Sequence, residues 1–265
     1  MSETAGRILA MAANTFKEAV RNRAFIGLML GALVLILASL VVSELVVFDQ
    51  RRRVVQDFGL FFISFGGVVI SVIVGVLLVY KELERKTIYS LLSKPVERWE
   101  FILGRYAGMF AILVSVTAVL SLAWVVVMLL RGVPLRIELF KAIVLVLGEL
   151  SIIGAVAVLF SSFSTPILSG IFTFGIFVLG RHVSFIETLL TSSKGLFVTA
   201  PALRPLGKAA GYVFPDLSLF DITREILLEV EVTWTYVAHS MGYALCYVLI
   251  IVTLAALVFN RRDFV

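Results

Sequence analysis

Twenty-three consecutive residues, Phe58 to Tyr80, carry no charge and almost no hydrogen-bonding side chain. A helix rises 1.5 Å per residue, and about 20 apolar residues cross the ~30 Å hydrocarbon core of a bilayer. A run of this length has few other destinations. Ala24 to Ser43 and Tyr106 to Leu130 are equally free of charge, and from Ala142 to Gly180 only Glu149 is charged. That last run is long enough for two spans. The polar stretch Ser161-Ser162-Phe163-Ser164-Thr165-Pro166 is its natural break, since Pro166 cannot continue a helix and the hydroxyls can satisfy freed backbone groups. A further apolar run covers Tyr236 to Phe259. The expectation is an all-α membrane protein with six transmembrane helices, forming a single transmembrane domain over 1–265. With 60% hydrophobic and 15% charged residues, the chain suits no soluble fold of its length. The first run starts after 23 amphipathic residues and exceeds a signal-peptide core, so it is expected to remain as a span.

An even number of spans puts both ends on one face. Twelve Lys and Arg fall on that face and eleven on the other, five of them in the long segment 181–235. Long segments cross with little regard to charge, so the short loops decide, and they place both termini in the cytoplasm. The triplet Arg51-Arg52-Arg53 argues the other way, blunted in part by Asp49 and Asp57. The net charge of +5 suits anionic lipid headgroups; no nucleic-acid motif is present.

Three stretches outside the spans have organised patterns. Residues 1–23 contain an amphipathic helix, with Ile8, Met11, Ala12, Thr15, Phe16, Ala19 and Val20 on one face, expected to lie in the membrane interface as an elbow. The stretch KELERKTIYSLLSKPVERWEFILGRYAG, residues 81 to 108, holds ten charged side chains between two apolar runs. Glu82, Lys86, Ser90 and Ser93 share one helical face, and Leu83, Ile88, Leu91 and Leu92 the other. Pro95 breaks this helix. A second helix follows, with Glu97 and Glu100 in its first turn, where carboxylates suit the dipole, and it enters the third span through Gly104 and Gly108. The reading is a helical hairpin on the membrane surface with a polar docking face. Segment 181–235 is expected to form short helices on the outer face that dip back toward the membrane, with a turn at Phe214-Pro215-Asp216 and an amphipathic helix from Ile222 to Val230.

No phosphate loop, GxGxxG, HExxH or GxSxG motif occurs. His182 and His239 lie far apart, and Cys246 is the single cysteine, expected to serve packing. No catalytic residues, metal site or cofactor are assigned to this chain. Glu149 has two readings: a hydrogen-bonded structural carboxyl, or part of a substrate or ion path. Gly66, Gly67, Gly75, Gly170, Gly175 and Gly180 are expected to permit close helix approach.

With the hairpin placed after the second span, the chain resembles the permease subunits of ABC-2 type ABC transporters. The residues that carry the resemblance are the acidic pair Glu82 and Glu84, Thr87, Leu91-Leu92-Ser93, Pro95, Arg98 and Gly104-Arg105. Phe214-Pro215 through Phe220-Asp221 and the ending FNRRDFV are also similar. The layout is like that of the short permeases without large soluble domains, of the copper-site maturation and sodium-export types. The resemblance implies a coupling helix at 81–105 that docks an ATPase through Glu82, Glu84, Arg85, Lys86, Ser90, Lys94 and Arg98. For Arg98, lipid phosphate is the competing partner, as for Arg105. It further implies two copies of the ATPase subunit, binding ATP and Mg, a second permease chain as a homodimer, and export across the cytoplasmic (inner) membrane. Two other classes stay open: a force-transmitting or sensor subunit that works on a periplasmic or lipoprotein partner without transport, and an integral membrane lipid-modifying enzyme.

Overall fold

The computed structural model describes residues 2–46, 50–84, 97–191 and 204–260. Among the described residues the regular structure is entirely helical. Helix α1, Ser2–Val20, ends at a short break, and α2, Arg23–Leu45, starts from Asn22, whose side chain accepts from the Ala24 amide at 2.9 Å. Helix α3, Arg51–Glu84, runs unbroken for 34 residues, and α4 covers Arg98–Leu130. Next come α5, Ile137–Phe163, and α6, Pro166–Arg181, with Pro166 in its first turn. The break thus falls where the hydroxyl-rich stretch and the proline place it. Beyond lie α7, Val183–Thr191, α8, Arg204–Val213, a 3-10 turn at Leu217–Phe220, α9, Thr223–Leu227, and α10, Trp234–Asn260.

Five helices are long and apolar enough to cross a membrane: α2, the Arg51–Val76 part of α3, α4, α5 and α10. A sixth span results if α6 and α7 count as one, bent by 51° at His182. The 16 residues of α6 cover about 24 Å, less than the ~30 Å hydrocarbon thickness, so α6 by itself is too short to cross.

Helix α5 is the centre of the bundle. Of its apolar window 72% is buried, against 22% for α2 at the edge. It packs against α3, α4, α6 and α10. Lipid tails are as apolar as leucine, so close approach rather than hydrophobicity joins these helices. A Cβ on Gly67 would fall 2.5 Å from Leu150, and one on Gly75 2.7 Å from Ala157. Gly59 leaves room for the Trp124 indole, whose Nε1 donates to the Val55 carbonyl at 3.0 Å and ties α4 to α3. The glycine expectation holds for Gly66, Gly67 and Gly75, whereas Gly180 makes room for Pro215 and Leu217 of a turn instead of a span. Gly175 meets nothing within 4 Å, and Gly170 has only ordinary contact with Val72.

Helix α1 is docked along the first turns of α4. Gly104 and Gly108 form the seat: Cβ atoms there would lie 2.7 Å from the Met11 Cβ and 2.5 Å from the Thr15 Cβ. Ion pairs reinforce it, Arg7 to Glu100 at 3.1 Å and Arg105 to Glu18 at 3.8 Å, and Arg105 Nη1 donates to Thr15 Oγ1 at 3.1 Å. The expected helix from Ile222 to Val230 is shorter than its pattern. It stops at Leu227, and Glu229 takes a left-handed φ of 58°. Two arginines of the triplet have ion-pair partners among the described residues, and Asp49 lies outside those residues. Arg51 pairs with Glu44 at 3.0 Å and Arg52 with Glu229. Cys246 is exposed on α10 rather than packed inside.

Candidate functional site

Two regions gather the polar chemistry. The first is the junction of α3 and α4. Helix α3 continues past the apolar run and carries Glu82 and Glu84 in its last turn. Arg85, Lys86, Ser90 and Lys94, with the Pro95 break, lie outside the described residues. Helix α4 then starts from Glu97 with a capping box: the Glu97 carboxylate takes the Glu100 amide, and Glu100 Oε2 accepts from the Glu97 amide at 3.2 Å. Arg98 opens the helix, and its Nη1 donates to the Asn260 carbonyl at 2.9 Å, joining the start of α4 to the end of α10. A groove of about 640 Å³ runs between these two ends, lined by Arg98 and Trp99 on one side and Val252 and Leu257 on the other. The start of α4 is therefore held from two sides, by α1 and by α10.

The second region lies at mid-depth. Glu149 follows 12 residues after the start of α5 and precedes its end by 14, which puts it about 18 Å from one end and about 21 Å from the other. Its side chain is wholly buried. A lone carboxylate there would be expensive. Arg181, the last residue of α6, removes that cost: Nε donates to Oε1 at 2.8 Å and Nη2 to Oε2 at 3.1 Å, the two-pronged geometry a guanidinium offers a carboxylate. Ser64 of α3 completes the set. Its Oγ donates to Glu149 Oε2 at 2.9 Å and accepts from Arg181 Nη2 at 2.8 Å. On its outward side Arg181 Nη1 donates to Asp221, and the ring of Phe177 lies 5.8 Å from its guanidinium carbon.

Asp221 reaches this depth because the chain from Phe214 to Ile222 folds back into the bundle. Leu217 and Phe220 are fully buried there. They occupy notches left by two glycines: a Cβ on Gly180 would lie 2.7 Å from the Pro215 carbonyl oxygen, and one on Gly148 2.9 Å from the Phe220 ring. The turn's backbone is satisfied locally and by α10. Asp216 caps the Ser218 amide at 3.0 Å, the Asp216 amide donates to Tyr243 at 2.8 Å, and the Tyr236 hydroxyl donates to the Leu219 carbonyl at 2.7 Å. Irregular backbone within a bundle needs its polar groups satisfied by protein or a water-filled cavity, and these bonds satisfy part of the turn. A small cavity of about 90 Å³ sits beside the cluster, with Asp57, Ser64, Arg181 and Asp221 in its wall.

Of the residues singled out by sequence, the structure brings Glu149 into a cluster and places Arg98 at a helix junction. It adds Ser64, Arg181 and Asp221. A signal for Arg181 was present: a carboxylate inside a span needs a cation, and Arg181 closes the same apolar run. Among the described residues no three His, Cys, Asp or Glu side chains come together as metal ligands.

No curated protein matches the chain. The profile of the ABC-2 family transporter proteins matches it over residues 9–264. That match runs from within α1 past the end of α10, and a membrane component of an ABC transporter, working with an ABC ATPase, is what such a family supplies. The chain belongs to the ABC-2 family of transporter proteins.

Proposed function

We propose that this chain is the permease subunit of an ATP-driven exporter in the cytoplasmic membrane, with both termini in the cytoplasm. Two copies of it pair with each other and with two copies of a separate ATPase. Segment 81–105 is the coupling element, and Glu82, Glu84, Arg85, Lys86, Ser90, Lys94 and Arg98 meet the ATPase. The observation that carries this reading is mechanical. Helix α3 leaves the apolar run without a break as far as Glu84, and α4 re-enters from Glu97 with its first turns clamped by α1 and α10. A push delivered to the end of α3 or the start of α4 is passed directly to a span. ATP and Mg belong to the partner subunit.

A second reading, force transmission to a periplasmic or lipoprotein partner, draws on one observation. Leu217, Phe220 and the Glu149–Arg181 pair fill the middle of the bundle, so that no polar path is evident among the described residues of a single chain.

Affinity purification of the full chain in mild detergent, with mass spectrometry of its companions, tests the proposal. A stoichiometric partner bearing a phosphate-loop motif is expected. Charge reversal of Glu82 and Glu84 together is expected to release that partner while the permease stays folded. A preparation without an ATPase, repeated after crosslinking, would refute the transporter assembly, and retained binding by the double reversal would refute the coupling assignment.

A further inference from the structure

We infer that Arg181 is a positioning residue: through its pair with Glu149 it latches the α6–α7 corner and the turn 214–222 into the bundle as a closed plug, and breaking that pair is what lets the plug lift. The name "plug" rests on the transport reading; the latch itself does not.

Four observations converge on this guanidinium. It is shared by three separate elements, Ser64 of α3, Glu149 of α5 and Asp221 of the turn. It sits one residue before the 51° bend at His182, so that the direction in which α7 leaves depends on where α6 ends. The corner and the turn are bound to each other by Ser184 and Ser218, whose hydroxyl oxygens lie 2.6 Å apart. They therefore form one body. That body meets α5 through Glu149 and through Phe220 against Gly148, and it meets α10 through two tyrosine hydrogen bonds. Of these attachments only the Glu149–Arg181 pair is ionic, and its carboxylate is wholly buried.

The charges also say how the latch can fail without unfolding the chain. Removing Arg181 strands a buried carboxylate, a costly outcome. Removing the charge of Glu149 does not strand Arg181, because Asp221 stands on its other side and keeps it paired. Glu149→Gln thus removes the ionic attachment of the corner to α5 and leaves every charge with a partner. Asp221→Asn leaves the buried pair intact and loosens only the link to the turn.

The test uses the full chain in nanodiscs with Cys246→Ser, so that a single reporter cysteine is present. Leu217→Cys places a thiol at the base of the plug, where the native side chain has no exposure. Leu120→Cys, equally buried on α4, reports opening elsewhere. A water-soluble maleimide labels either site only in the open fraction. With the native latch both cysteines should label slowly. Adding Glu149→Gln should speed labelling at position 217 by tenfold or more and leave position 120 protected, with Asp221→Asn giving a smaller rise. Arg181→Lys, which keeps the charge, should fall between native and Glu149→Gln. Equal labelling at 217 with and without Glu149→Gln would overturn the latch, and so would parallel acceleration at 217 and 120, because loss of a merely structural contact exposes both. Failure of the transport reading shows up separately, as a preparation with no ATPase partner, and leaves the labelling comparison intact.

Discussion

The seat of α1 on α4 gives the sharpest quantitative expectation. Gly108→Ala adds one methyl group whose carbon would lie 2.5 Å from the Thr15 Cβ and 2.7 Å from the Ala12 carbonyl oxygen. Carbon pairs rest at about 3.5–4.0 Å, so α1 must retreat by roughly 1 Å at its midpoint. Neither obstacle is the loose tip of a long side chain, and no rotamer change relieves the clash. A retreat of that size stretches the Arg105 Nη1 to Thr15 Oγ1 bond from 3.1 Å beyond the ~3.5 Å limit of a useful hydrogen bond. Arg105 is almost wholly buried, and its ion pair to Glu18, at 3.8 Å, is already at the edge of contact. Weakening the hydrogen bond of a buried charged group costs about 1–3 kcal/mol, and the lost packing adds to it, for a total of about 3 kcal/mol. The expected result is a fall in the unfolding midpoint of roughly 5–10 °C and faster tryptic cutting after Lys17 and Arg21, as α1 leaves its seat. Gly27→Ala is the matched control. It makes the same chemical change in a helix where nothing lies within 4 Å, and alanine's helix preference should leave it neutral or stabilising by less than about 1 kcal/mol. If Gly108→Ala behaves like Gly27→Ala in both assays, the close seat and the argument from it are wrong.

Gly180→Ala should destabilise by about 1–3 kcal/mol, because its methyl meets the Pro215 carbonyl at 2.7 Å and the Leu217 Cγ at 2.8 Å, whereas Gly175→Ala should be neutral; unfolding of the two side by side measures the difference. Trp124→Phe removes the indole bond to the Val55 carbonyl and should cost about 1–2 kcal/mol, read as a lower midpoint with α4 still helical by circular dichroism. At Glu229 two terms nearly cancel. Glycine relieves a left-handed residue worth about 1–2 kcal/mol and gives up two exposed ion pairs, to Arg52 and Arg136, worth up to about 1 kcal/mol each. Glu229→Gly should therefore shift the midpoint little, and Glu229→Val, which loses the pairs and keeps the strain, should lower it clearly.

How much of this was legible in the sequence follows from which forces act over short range. The spans were legible because a bilayer imposes one length on every crossing, and the 142–180 run was divisible because Pro166 can start a helix but not continue one. The docking of α1 was half legible. Its apolar face was evident, and so were Gly104 and Gly108 as small residues, but only three-dimensional placement shows that α1 itself fills the notches they leave. The α9 pattern ran on to Val230, and Glu229 ended it early, because two arginines from α3 and the α4–α5 connection hold its carboxylate in place. That is a tertiary effect with no local trace.

Arg181 was hidden for a more instructive reason. A charge at the end of an apolar run is ordinarily counted with the loop that follows, and counting it so assumes that the run has reached the far side of the membrane. Helix α6 is about 24 Å long, too short to cross the ~30 Å of hydrocarbon by itself. The same residue can close a span in sequence and sit at mid-depth in space when the helix is short. The pairing that results is then predictable from the other side: Glu149, alone in 39 residues of grease, requires a cation within one side chain's reach, and a helix that stops short supplies one. The two anomalies, a carboxylate too deep and a helix too short, explain each other. The re-entrant turn follows from them, since a chain that bends at mid-depth must bring irregular backbone back through protein, and Gly148 and Gly180 leave the notches for it to pass.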